Sequence, residues 1–505
     1  MDNEAAEPSI AGSTASCPIA RLYTDALSLV FDAALQSSYA RDQRTALRLP
    51  LTLSHVCRCW RALALEQPQL WSRFFWGPGD SVDAALAILE RSRASLLTIE
   101  LSLRTNEQSD SEDESIRDKQ SQDGETIFHA LLPHFERTSH LKLEFSLGTL
   151  ARHPLLFLDV PCIMPRLRYL AVKTIDVLRD WQQRPLLNVM CPPLAHVSLD
   201  NVLPRSWESL LGRETMALEL KRCPVRTGEL RSALRLAPNL RSLDLCYCQI
   251  LEDEPPRADD NALGVHLERL YVSPSEIESL DALETLEIRV DRISMVVLQA
   301  YFTEIPFERA YGFVRVGELA GITEVFVGTD SLSFTTAGGA ERIVSTDATS
   351  VAVLHDLFAN TPVLSTVTTL TAALHLWPAL VGVITGACAP EPPSLPRLQN
   401  LRLLIAQDDF EEEDPGADPV LRTASLVPTL ARIEVGLQGR QMPTAPLVQR
   451  FIRALKGLQA PDAGLFFDDQ HSGEGYAHLL RFLELIRAEM DDGGMLAPPP
   501  VSPQH

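Results

Sequence analysis

The chain has 505 residues, 45% hydrophobic and 22% charged, a composition that excludes a fibrous or wholly disordered protein and a length that allows about three domains, or fewer in an elongated repeat array. Forty-five lysines and arginines against 67 aspartates and glutamates leave a net charge of −22, a field that repels phosphate backbones and anionic bilayers, so neither nucleic acid nor a membrane is expected as partner. Nine cysteines, odd in number and sparse, suit a reducing intracellular compartment, cytoplasm or nucleus, and only five of the basic residues are lysines, Lys119, Lys142, Lys173, Lys221 and Lys456.

In chain order, residues 1–17 are short, polar and acidic and read as a disordered N-terminus without a secretory leader. The block 18–76 follows. Its opening stretch LYTDALSLVFDAAL sets Leu22, Leu27, Val30, Phe31, Ala34 and Leu35 at helical spacing, with Thr24 as N-cap. The polar run SSYARDQRT links it to a second amphipathic run, LTLSHVCRCWRALAL, which puts Leu53, Val56, Cys57, Trp60 and Leu63 or Ala64 on one face and leaves Arg58 and Arg61 outside. Pro68 ends this run before Leu70 and Trp71. Short helices of this kind cannot hide so many large apolar groups, so part of the surface is expected to meet a partner.

Residues 77–105 are expected to hold a linking helix and a first strand. From 106 to 126 the sequence NEQSDSEDESIRDKQSQDGET has eight acidic residues and one large apolar side chain, Ile116, and reads as a disordered acidic insert. Within it, Ser109 and Ser111 each precede a glutamate by three positions, a pattern that suits an acid-directed kinase. A second acidic loop spans 408–419, and 491–505 is a disordered tail.

Between these, over 127–490, a short leucine-rich phrase recurs: PRLRYLAV at 165, PPLAHVSLDNV at 192, TMALELKRC at 215, PNLRSLDLCYC at 238, HLERLYV at 266, ALETLEI at 282, PRLQNLRLL at 396 and PTLARIEV at 428. The second apolar position steps through Leu170, Val197, Leu218, Leu243, Leu270 and Leu286 at intervals of 27, 21, 25, 27 and 16, mostly the spacing of leucine-rich repeats. In such a unit the L-x-L pair points inward from a short strand and the residues flanking it face outward. That outward face comprises Tyr169, Lys173, His196, Asp200, Glu219, Lys221, Asp244, Tyr271, Glu287 and Arg289, a mixed-charge set suited to binding a protein target. SWESLLGRE and GELRSALRLAP between phrases read as helices, and TEVFV, SLSFTT and ERIVS as antiparallel strands that interrupt the repeat. The stretch Phe358 to Pro390 lacks charge, but its threonines and prolines make it a buried strand and helix rather than a membrane span. The run Tyr476 to Met490 reads as a last helix of the array.

PLTLSHVCRCWRALALEQPQLW resembles the second half of an F-box, in which the Val-Cys-x-x-Trp-Arg run and the later Leu-Trp are the signature, here Val56, Cys57, Trp60, Arg61, Leu70 and Trp71. The family's opening Leu-Pro-x-Glu is here Leu22-Tyr23-Thr24-Asp25. An F-box followed by degenerate leucine-rich repeats is a common pairing, so the resemblance implies an α/β chain: a three-helix F-box at 18–76, then an irregular leucine-rich-repeat-like solenoid. It also implies a substrate receptor of a Skp–cullin–F-box ubiquitin ligase. Carried over residue by residue, Leu22, Leu27, Val30, Phe31, Val56, Trp60, Leu70 and Trp71 would form or support the surface that holds the Skp-type adaptor and, through it, the cullin, with Leu27 and Val56 on the core side. The alternative is a protein-interaction scaffold whose F-box no longer engages a ligase.

No phosphate-binding glycine loop, H-E-x-x-H or G-x-S-x-G occurs, so no catalytic residues, cofactor or metal are assigned. Two C-x-C pairs, Cys57 with Cys59 and Cys246 with Cys248, lack the second pair that a zinc site needs, and Cys223, Cys246 and Cys248 are read as structural thiols at strand ends. FFDDQH at Phe466 to His471 reads as a turn.

Overall fold

A computed structural model of the chain describes residues 23–41, 43–103, 114–146, 162–175, 186–252, 265–274, 278–286, 288–300, 307–314, 319, 321–328, 331–346, 365–373, 376, 380, 395, 397–406, 432–438 and 464–467. It is a mixed α/β protein in which the strands are mostly parallel, divided into two compact units, Met1–Thr215 and Met216–His505.

The first unit opens with three helices, α1 (Thr24–Arg41), α2 (Gln43–Val56) and α3 (Arg58–Glu66), and a 3₁₀ turn at Pro68–Trp71. The expected single run over 51–65 is two helices. The chain breaks at Cys57, whose extended backbone makes it the N-cap of α3; its Sγ accepts from the Trp60 amide at 3.4 Å. This break turns Val56 out to solvent instead of into the core. Thr24 is the first helical residue rather than the cap, and the Tyr23 carbonyl accepts the first bond, from Leu27 at 3.0 Å.

Five parallel strands follow in spatial and chain order: β1 (Arg73–Trp76), β2 (Leu97–Leu103), β3 (Thr138–Phe145), β4 (Tyr169–Thr174) and β5 (His196–Asp200). Strict alternation decides their orientation: Phe74, Trp76, Ile99, Leu101, Leu141, Leu143, Leu170, Val172, Val197 and Leu199 are all buried, and the residues between them face out. Helix α4 (Val82–Arg91), capped by Ser81, joins β1 to β2. Helix α5 (Glu114–Leu131) leads into β3 and reaches back into the stretch read as a disordered acidic insert; residues 106–113 lie outside the described residues. It holds because Ile127, Phe128 and Leu131 are buried, and because Gly124 lets the helix approach the sheet: a Cβ there would sit 2.9 Å from Leu103 Cδ2. An acidic first half is carried by an apolar second half.

In the second unit the strands β6 (Ala217–Lys221), β7 (Ser242–Leu251), β8 (Arg269–Pro274) and β9 (Met295–Ala300) pair in parallel in that order. The leucine phrases stand in register, Leu218 opposite Leu243 and Leu243 opposite Leu270. Helix α6 (Thr227–Leu236) lies between β6 and β7 and buries Leu230, Ala233 and Leu234, while SWESLLGRE in the first unit forms only a 3₁₀ turn, Trp207–Ser209, capped by Ser206. The phrase ALETLEI is not a strand. Helix α7 (Glu278–Glu284) takes in its first three residues; Leu280, Leu283 and, just past the helix end, Leu286 are buried at a three-residue spacing, and the next strand, β9, begins only at Met295. Its Val296 pairs with Leu270, which restores a step of 26 residues in place of 16.

After helix α8 (Phe307–Val314) come β10 (Ile322–Val327), β11 (Ser331–Thr336) and β12 (Glu341–Thr346), an antiparallel meander laid so that β12 pairs with β9. The parallel order then resumes outward from β10 with β13 (Thr369–Ala373), β14 (Asn400–Ala406), β15 (Arg432–Gln438) and β16 (Gly464–Phe467). The pairs of FFDDQH that are described, Phe466 and Phe467, end β16; its remaining residues, the loop 408–419, the run 476–490 and the tail lie outside the described residues. Among the described residues no helix is long and apolar enough to cross a membrane.

Candidate functional site

Two surfaces of the first unit and one of the second carry the residues singled out above. The helical surface is built on a core of Leu27, Phe31, Leu35, Leu53, Leu63, Ala64, Leu70 and Trp71, with Trp60 and Leu49 packed at its edge. Phe31 meets Trp60 edge to face at 5.0 Å, the Trp71 indole N–H donates to the Ala64 carbonyl at 2.7 Å, and the Arg91 guanidinium lies over the Trp71 ring at 4.7 Å. Arg61 Nε donates to the Ser54 carbonyl at 2.9 Å and so pins α3 to α2. Of the eight expected adaptor residues, Leu27, Phe31, Leu70 and Trp71 are therefore core, Trp60 is half-buried, Val30 and Val56 are exposed, and Leu22 lies outside the described residues.

The exposed apolar set is larger than expected. Leu29 is 69% exposed, Val56 54% and Val30 45%, and Tyr23 and Leu51 are also exposed. Tyr23, Leu29 and Leu51 were missed because attention to one helical stripe hides a second one. Helix α1 carries Leu27, Leu29, Val30, Phe31, Ala33, Ala34 and Leu35, apolar around most of its circumference. A helix apolar all round is either buried or covered by another molecule.

On the outward face of the first-unit sheet the registers align three rows across the strands. The first is Arg73, Thr98, His140, Tyr169 and His196; the second contains Glu100, Lys142, Ala171 and Ser198; the third, Ser102, Glu144, Lys173 and Asp200. Lys142 pairs with Glu100, and Lys173 with Glu144 at 2.9 Å. Asp200 ends the third row and is buried there; the next residue, Asn201, is in the left-handed region at φ 60° and donates from Nδ2 to Thr174 Oγ1 at 2.8 Å. Tyr169 stacks on His140 at 5.8 Å and on His196 at 4.7 Å.

In the second unit Glu219 and Lys221 pair along one strand at 2.5 Å, and Asp244 approaches Arg269 at 3.9 Å. Burial pushes the Asp244 carboxyl up from its ordinary value, partly opposed by Arg269. The Tyr271 hydroxyl donates to Gln299. Arg289 does not belong to this face: it lies in the turn after α7 and grips Asp291 with two bonds, 3.1 and 3.0 Å, and Glu287 lies outside the described residues. Arg289 and Asp291 edge a small cleft floored by Leu270, Leu283, Val290 and Phe313.

Among the described residues no group of three or more His, Cys, Asp or Glu is placed to hold a metal. The thiols of Cys223 and Cys248 are buried and donate to the carbonyls of Lys221 and Leu220, while Cys57 and Cys59 are exposed. What these surfaces can do chemically is bind, through an apolar helical patch and through polar rows on a rigid sheet. Neither a known family model nor a curated protein matches the chain.

Proposed function

We propose that this chain is the substrate-recognition adaptor of a Skp–cullin–F-box ubiquitin ligase, with α1–α3 as an F-box that docks the Skp-type adaptor and with the strand faces as the side that takes a protein target. In the finer fold reading the strands form a degenerate leucine-rich-repeat-like solenoid. Inward L-x-L pairs in register support that reading, and so does a left-handed residue at the equivalent place in three units, Asn201 and Arg222 just after β5 and β6 and Tyr247 at the register shift within β7. The chain acts as a receptor and not as a catalyst, and a cullin is reached only through the adaptor. The second reading keeps the fold and drops the ligase: a scaffold whose altered opening, Leu22 to Asp25, no longer engages an adaptor.

One observation carries the first reading. The helical core is complete without Leu29, Val30 and Val56, yet these apolar side chains stand in water beside it. They can be changed without opening the core, so Val30→Asp with Val56→Asp is expected to leave the helical signal in circular dichroism intact and weaken binding to a Skp-type adaptor by about a hundredfold, as loss of two apolar interface anchors does. Wild-type binding that survives the double change argues for a different surface. A folded wild type that does not bind at all leaves the scaffold reading.

A further inference from the structure

The outward face of the second unit changes character at β8. Through the registers of β8, β9, β12, β11 and β10, one row runs Tyr271, Val297, Ile343, Ser333 and Phe326, and the row beside it runs Arg269, Met295, Glu341, Thr335 and Glu324. The solvent side of a strand is ordinarily polar. Here the first row is mainly aliphatic and aromatic, with Val297 buried among its neighbours and Tyr271, Ile343 and Phe326 half-buried. Helix α8 packs on the other face, where Tyr311 meets Phe334 edge to face and Val314 accepts from Arg342. The Phe326 ring lies against Gly328, where a Cβ would come within 2.8 Å of Phe326 Cε1, so the bare turn seats the end of the apolar row.

The second row supplies charge. Asp244, Asp281, Glu284 and Asp291 of this unit each hold an arginine, but among the described residues no cation pairs with Glu324 or Glu341. Glu324 is exposed and Glu341 half-buried. They stand on β10 and β12 with β11 between them, about 9.6 Å apart at ~4.8 Å per strand. An ionised carboxylate accepts hydrogen bonds and cannot donate them, so this edge is complemented by cations.

We propose that these two rows hold an amphipathic helix of a protein target, its apolar stripe on Val297, Ile343 and Phe326 and lysines or arginines of its flank on Glu341 and Glu324. The inference rests on the reading of the strand faces as the target side and names the chemistry of that target. Geometry selects a helix over an extended segment. An extended chain turns a single row of side chains toward the sheet, whereas the apolar and acidic rows lie side by side, ~6.6 Å apart along the strands. A helix presents an apolar stripe and a charged flank at once. Its rise of ~1.5 Å per residue puts flank residues seven apart at about 10.5 Å, close to the spacing of the two glutamates. From β8 to β10 the apolar row is about 19 Å long, the length of about thirteen helical residues.

The test is fluorescence polarisation of a labelled, helix-stapled peptide of about fourteen residues with the full chain. The peptide carries a leucine stripe and, on one flank, two lysines seven positions apart. Beside it are the same peptide with glutamates for the lysines, and a scrambled peptide of the same composition without the stripe. The lysine helix is expected to bind at least about tenfold more tightly than either, because a field of net charge −22 attracts any cation but does not distinguish the scrambled peptide. Glu324→Arg with Glu341→Arg is expected to weaken the lysine helix at least about tenfold and to admit the glutamate helix. Glu252→Arg, an equal change of charge per site at the exposed position just after β7, is expected to leave binding within about twofold.

Should the double variant misfold by circular dichroism, Glu324→Gln alone, at an exposed position, decides by a loss of about threefold. Equal binding of the scrambled peptide, equal binding by wild type and the glutamate variants, or an equal loss in Glu252→Arg overturns the proposal. A wild type that binds a Skp-type adaptor but not the lysine helix refutes this inference and leaves the receptor reading standing; one that binds the lysine helix but no adaptor refutes only the ligase.

Discussion

Replacing Arg342 by methionine is expected to lower the stability of the Met216–His505 unit by roughly 3–5 kcal/mol. Arg342 sits on β12 at an inward position and is wholly buried, where an aliphatic side chain would ordinarily sit. Its guanidinium donates to the carbonyls of Val314 at 3.1 Å, Val290 at 3.0 Å and Glu341 at 2.8 Å. Val314 is the last residue of α8, so the cation also lies at the negative end of that helix, and Val290 begins the 3₁₀ turn that holds Asp291 within its field. Burial lowers its pKa from the ordinary value, but an arginine remains charged under all working conditions. Methionine fills the volume and supplies no donor, which takes from the Val314 carbonyl its guanidinium partner and leaves the Val290 carbonyl with the Ile293 amide alone, at 3.2 Å. Urea unfolding followed by circular dichroism measures the change; a loss below about 1 kcal/mol would mean that solvent reaches these carbonyls.

The second large effect is at Trp71. Its side chain is 1% exposed, closes the core formed by α1, α2 and α3, and carries both the bond to Ala64 and the stacked Arg91. Trp71→Ala is expected to cost about 3–5 kcal/mol through the cavity and the lost contacts, enough to melt the helical module. Limited proteolysis should then cut within 24–66 while the wild type resists. Trp71→Phe, which keeps most of the volume and loses the N–H, is the milder control. It follows that loss of adaptor binding in Trp71→Ala alone reports folding, and that the exposed valines are the residues that report docking.

Several features of this architecture can be read directly from residues. The L-x-L phrases from Leu170 to Leu270 are strands in register because apolar alternation with period two has one stable orientation over a buried layer. The meander from Ile322 to Thr346 is legible in its alternation and its turn residues, Gly338 and Gly339. ALETLEI misleads because leucines three apart satisfy L-x-x-L in a strand phrase and a helical face alike; the period alone does not separate them over seven residues. The acidic start of α5 hides a helix whose anchoring side chains come only later, at Ile127 to Leu131.

The candidate sites divide in the same way. Val56 reads as core if 51–65 is one helix, and only the break at Cys57, set by backbone geometry, shows it to be surface. The stacking of His140, Tyr169 and His196 depends on registers between strands that are 29 and 27 residues apart in sequence, and His140 lies in a phrase, HLKLEF, whose alternation matches the repeat as well as those first picked out. Arg342 has no local signal, since apart from the neighbouring Glu341 its partners are carbonyls supplied by two distant segments, Val314 and Val290 to Ser294.

The most direct measurement of the central claim is hydrogen exchange of the full chain with and without a Skp-type adaptor. The account predicts saturable binding with new protection at Tyr23 to Phe31 and Leu51 to Trp60, the segments that carry the exposed apolar side chains. Binding with protection confined to the strand faces, or no binding by a chain whose native exchange pattern is intact, would contradict it.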